Sequence, residues 1–163
     1  MSTLDHSRKR LAAVINEIER LKQSEFPYPH PSQALERLDQ LFNHQRSVLD
    51  KISSSSTNSV IHSGCSASLK QLFDYVPILG FILRSTNIRN AFEIYTPLLR
   101  LARSILKIDT KLILSSEWEF SPYMYSFIPY LPGFVLIGLP ATESSNPLLI
   151  PLAGHVRAFG MGK

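Results

Sequence analysis

The sequence predicts an α+β fold, predominantly helical, with an N-terminal helical hairpin, a serine-rich linker, and then helices with a small two-stranded sheet. Three observations lead there. Apolar residues recur at three- and four-residue spacing over long stretches. Two short β-type runs stand in the C-terminal half. A chain of 163 residues with 44% hydrophobic and only 18% charged side chains has enough apolar material to build a core.

Leu11, Val14, Ile15, Ile18 and Leu21 mark one face of a first helix, and Arg10, Glu17, Glu19, Arg20 and Lys22 fill the rest. Ser2 followed by Asp5 matches a capping box, which satisfies the free N–H groups of a helix start. The Phe26–Pro31 run FPYPHP stops this helix, because proline lacks the N–H that a helix interior needs. Pro31 suits the first turn of a second helix. Its buried stripe is Leu35, Leu38, Phe42, Leu49 and Ile52, widened by Leu41 and Val48. Two such helices joined by a short loop form an antiparallel hairpin over residues 1–52.

Half of the residues from Ser53 to Ser68 are serine, which predicts a flexible linker over 53–68 and a domain boundary. Residues 69–163 then form an apolar helix-plus-strand region, expected to be an incomplete domain. Leu69, Leu72, Phe73 and Val76 suggest a short helix that Pro77 and Gly80 kink or end. From Ile88, the residues Phe92, Tyr95, Leu99, Ala102 and Leu106 step by four and three. Ala91, Ile94, Leu98, Leu101 and Ile105 run beside them, so one wide face is buried. Pro97 predicts a kink or break in that helix. Lys111–Trp118 reads as a strand, and Phe134–Leu139 as a fully buried one, because its apolar run is continuous rather than alternating.

Composition excludes several functions. The net charge of +4 is too small to mark a polycation, and the basic stripe Arg100, Arg103 and Lys107 lies where a helix dipole favours cations, so no nucleic acid is expected. Cys65 is the single cysteine, so no internal disulfide forms, and a flexible linker could not orient it as a nucleophile. The N-terminus lacks the apolar core of a secretory signal, which points to a cytoplasmic address. From Phe120 to Gly154 the only formal charge is Glu143, but six of the eleven prolines fall in that interval. A spanning helix needs roughly 20 uninterrupted apolar residues. Buried protein interior is therefore the reading, and membrane contact is not expected.

The stretch GFVLIGLPATESSNPLLIPLAGH, ending at His155, resembles the lead-in to the zinc helix of an uncharacterised bacterial group of zinc metallopeptidase-like proteins. In that group a buried strand precedes a helix carrying Gly-His-Glu-x-x-His. Two histidines four apart share a helical face and chelate Zn²⁺ together, and the glutamate activates the metal-bound water. Here Gly154 and His155 match, but Val156 stands at the glutamate position and Phe159 at the second histidine. The resemblance implies a peptidase ancestry, with zinc as the cofactor of the family. The departures imply no catalytic residue, no cofactor in this chain, and His155 as a vestigial metal ligand only. On this reading the chain is an inactive, truncated or frame-altered relative, with exposed apolar surface expected at Leu148, Leu149, Ile150 and Leu152.

The remaining chemistry-bearing residues carry weaker readings. His6, His30, His44 and His62 have no second ligand at helical spacing and read as structural or solvated. Glu117 and Glu119 share one face of a probable strand, with Trp118 on the other, and a solvated face is the expectation. Glu143 reads as an exposed loop residue. The alternative function is a helical interaction module, in which residues 4–52 bind a protein partner or self-associate through their leucine faces.

Overall fold

The structure is a computed structural model that describes residues 2–53, 55–86, 92–106, 109–118, 122–125, 127–142 and 146. It is α+β and mostly helical. In order, the elements are α1 (Thr3–Lys22), α2 (His30–Asp50), α3 (Asn58–Arg84), α4 (Phe92–Leu106), β1 (Lys111–Glu117), β2 (Tyr123–Tyr125) and β3 (Phe134–Pro140). Contacts divide the chain into two compact units, residues 1–24 with 35–80, and residues 25–34 with 81–163.

In the first unit α1 begins at the predicted capping box, with Ser2 and Asp5 bonding each other's backbone N–H. Two tie points make the pairing with α2 antiparallel. Arg8 near the start of α1 donates to the carbonyls of Leu49 and Ile52 at 2.9 and 2.8 Å, where the end of α2 leaves acceptors free. Lys22 at the other end of α1 bonds Asp39 at 3.0 Å. Leu4, Leu11, Ile15, Ile18, Leu35, Leu38, Phe42, Leu49 and Ile52 are all buried, so the leucine faces of residues 4–52 lie inside this unit. Val48, expected to widen the stripe, is exposed.

The serine-rich stretch is the main departure. Flexible linker was expected over 53–68, but α3 starts at Asn58 and the connection from α2 is only a short turn held by Ser53, Ser55 and Ser56. The physical reason is packing. Cys65, Ser68, Leu72 and Tyr75 are buried at spacings of three and four, so α3 does carry a buried stripe, with small side chains at two of its positions. A Cβ at Gly64 would run into the Cδ1 of Ile52, so this glycine lets α3 come close to the end of α2. Phe42 and Tyr75 meet edge to face at 6.3 Å. The region from 69 onward is therefore not a separate body, because 58–80 belong with α1 and α2.

Neither interior proline breaks its helix. Pro77 lies within α3 and Pro97 within α4, so of the kink or end expected at the first and the kink or break expected at the second, the end and the break do not occur. Both prolines are exposed, and each lies in a helix that continues past it.

The second unit holds a three-stranded sheet in the order β1-β3-β2, one strand more than the sequence predicted. β1 and β3 are parallel, pairing Lys111 with Phe134 through Glu117 with Pro140. β2 is antiparallel to β3, with Tyr123 opposite Gly138 and Tyr125 opposite Leu136. Side chains alternate across a strand. One face carries Leu112, Leu114, Val135, Ile137 and Leu139, packed with Ile94, Tyr95 and Leu98 of α4. The other carries Ile113, Ser115, Glu117, Phe134, Leu136 and Gly138, and Tyr123 and Tyr125 of β2 rest edge to face on Phe81 there. With both faces covered, every residue of β3 is buried, as its unbroken apolar run predicts. Among the described residues, no helix is long and apolar enough to cross a membrane.

Candidate functional site

Glu117 is the last residue of β1 and is 8% exposed, while its neighbour Trp118 is 80% exposed. The expectation of a solvated glutamate face is overturned. Strand alternation puts Trp118 outward and Glu117 inward, on the face it shares with Ser115 and Gly138. Three donors meet it there. Arg84, the last residue of α3, places Nε 2.8 Å from Oε1, and the Ser115 hydroxyl donates to the same oxygen at 2.6 Å. The Tyr123 hydroxyl adds a hydrogen bond from β2.

Gly138 makes the arrangement geometrically possible. A Cβ at this position would lie 2.7 Å from the Tyr123 ring and 2.9 Å from Cγ of Glu117. A glycine within a buried strand often marks a close approach, and here both side chains fold over it. Arg84 also sits above the Phe81 ring, with its guanidinium carbon 5.8 Å from the centroid. Arg84, Glu117, Tyr123, Met124 and Tyr125 line an open pocket of about 480 Å³.

The electrostatics follow from these contacts. Burial pushes the Glu117 carboxyl up, but bonds from Ser115, Arg84 and Tyr123, with the charge of Arg84, outweigh it and leave the pKa below the ordinary carboxylate range. Burial, reinforced by the bond to Glu117, pushes the Tyr123 phenol up to about 12. At neutral pH the carboxylate is ionised and the phenol protonated, so this cluster fixes a guanidinium and moves no proton of its own.

A second cluster seals the edge of β1. Nδ1 of His30 lies 3.1 Å from both the N–H and the carbonyl oxygen of Leu112, accepting from the one or donating to the other according to its tautomer. The Tyr95 hydroxyl lies 2.8 Å from the same atom, and its ring stacks on Tyr28 with centroids 3.5 Å apart. His30 is thus the structural histidine expected, occupying backbone groups that an edge strand otherwise exposes. Burial, then the charges of Arg103 and Lys111, lower its pKa, against an opposing backbone bond to Leu112.

The other predicted residues are dispersed. His6, His44 and His62 are exposed. Cys65 is 2% exposed within α3, where it serves as a small core residue. Arg103 donates to the carbonyl of Thr110, and Lys111 sits over Phe134, so these cations are engaged within their own unit. Glu119, Lys107, Glu143, His155 and the stretch Leu148–Leu152 lie outside the described residues. Among the described residues, no three His, Cys, Asp or Glu side chains are grouped to hold a metal ion. Sequence reasoning missed the pairing of Arg84 with Glu117 and the role of Tyr123. The only available signal was the alternation Ser115, Glu117 at the end of an apolar strand. No family profile, curated protein or solved structure matches the chain.

Proposed function

We propose that this chain is a zinc metallopeptidase-like scaffold without a working zinc centre in residues 1–163. The observation that carries the reading is the order of a strand buried at every residue, Phe134–Pro140, followed by ATESSNPLLIPLAGH. Gly154 and His155 then stand at the opening of a zinc-helix signature. Val156 and Phe159 occupy the positions of the general base and the second ligand. Valine cannot accept a proton from a metal-bound water, and phenylalanine has no lone pair to give Zn²⁺, so a lone imidazole remains. Such a site neither retains the ion nor activates water.

The test is metal analysis and peptide hydrolysis on the full chain, purified, loaded with Zn²⁺ and dialysed. The expected result is well under one equivalent of zinc and no cleavage above buffer. One retained equivalent, together with cleavage that His155→Ala abolishes, would overturn the reading. A gain-of-binding arm tests the ancestry itself. Val156→Glu combined with Phe159→His restores two ligands four apart and raises zinc affinity at least tenfold if this segment forms the helix. No gain would refute the resemblance.

A further inference from the structure

The Arg84 pocket is built in a way that the proposed zinc chemistry does not use. Its guanidinium meets Glu117 through Nε, and in a planar fork the edge between the two terminal amines then points away from that carboxylate. Arg84 is held by a partner 11% exposed at the side chain, yet its own side chain is 42% exposed and lines the pocket. Glu117 already accepts from Ser115, Arg84 and Tyr123, and Arg84 also bonds the Tyr123 side chain, so among the described residues these contacts use only part of the five N–H donors of Arg84. The guanidinium carbon lies 5.8 Å from the centroid of the Phe81 ring, a cation–π contact that helps hold it in place. The Tyr125 ring adds apolar wall and is 43% exposed. The result is a half-exposed guanidinium, anchored at Nε by Glu117, beside the half-exposed ring of Tyr125.

We propose that this pocket binds a small ligand that joins a carboxylate to an aromatic ring, the carboxylate received by the terminal amines of Arg84 and the ring by Tyr125. A bidentate carboxylate contact matches the geometry of the fork, and charge-assisted bonds of this kind are stronger than neutral ones. Lysine would supply charge without the fork. Ion pairing with Glu117 leaves little net charge in the pocket, so recognition depends on geometry rather than long-range attraction. The same chemistry is offered by a free aromatic acid and by a peptide ending in an aromatic residue.

Isothermal titration of the full chain with benzoate and with N-acetyl-Gly-Phe, each against its neutral amide, tests this. At least one acid should bind saturably with a dissociation constant on the order of millimolar, as fits ligands of this size. Its amide should bind at least tenfold more weakly. Tighter binding of benzoate identifies a free acid as the natural class, and tighter binding of the peptide identifies a chain terminus. Arg84→Lys keeps a cation beside Glu117, so the fold is retained, and it should weaken the acid at least fivefold. Equal binding of acid and amide, unchanged binding in Arg84→Lys, or no saturable binding of either acid at tens of millimolar would overturn the proposal.

Discussion

Gly138→Ala is the sharpest probe of how this sheet is put together. The added methyl would lie 2.7 Å from two carbons of the Tyr123 ring and 2.9 Å from Cγ of Glu117, closer than carbon atoms pack. Neither neighbour is free to swing away. Tyr123 rests on Phe81 and Tyr125, and Glu117 is tied to Arg84 and Ser115. Overpacking of this kind costs about 1–3 kcal/mol. Replacing glycine stiffens the unfolded chain and returns about 0.4–1 kcal/mol. The net expectation is a loss of about 1–2 kcal/mol, which at a urea slope near 2 kcal/mol/M lowers the midpoint by about 0.5–1 M. Urea unfolding followed by far-ultraviolet circular dichroism measures it. Repeating the substitution in a Tyr123→Ala background removes the ring, and the cost should fall by at least half, a coupling readable as a double-mutant cycle. A neutral or stabilising Gly138→Ala, or a cost that ignores the loss of Tyr123, would refute the close-approach argument.

Ser68 is fully buried with its hydroxyl unpaired, so Ser68→Ala should raise stability by about 1 kcal/mol, and a loss in the same urea titration would mean the hydroxyl is bonded. Phe42 is fully buried against Tyr75, so Phe42→Ala should cost about 3–5 kcal/mol, whereas Phe73, 71% exposed, should tolerate Ser within about 0.5 kcal/mol. Thermal melts comparing the two would contradict the assigned faces of α2 and α3 if the order reversed. Stability should fall as pH is lowered, in two windows. The folded pKa of His30 is lowered, so the unfolded chain binds protons first, and stability present above the ordinary histidine pKa is lost as pH falls through it and on through the folded value. The folded pKa of Glu117 is also lowered, so its contribution is present above the ordinary carboxylate pKa and vanishes as pH falls through the folded one. His30→Asn should flatten the first window and Glu117→Gln the second. An unchanged slope in either variant, read from melting temperature against pH, removes the corresponding assignment.

The periodicity of the chain alone determined α1, α2, the buried face of α4 and the strands β1 and β3. In each of these the burial pattern is written in large apolar side chains, and local propensity agrees with it. The capping box at Ser2 and Asp5 was legible for the same reason, since both partners lie three residues apart. Tertiary structure decided the rest. Residues 58–68 read as linker because half of the stretch 53–68 is serine, and only the nearness of Ile52 and Leu49 to Gly64 turns the small side chains there into a packing requirement. β2 is three residues long, too short to display a period, and exists through its pairing with β3. Arg84 meets Glu117 across 33 positions of sequence, and no local pattern encodes such a meeting. What the sequence settles is which residues leave water. Which of them touch is settled when strand alternation and helix approach bring distant side chains over one glycine.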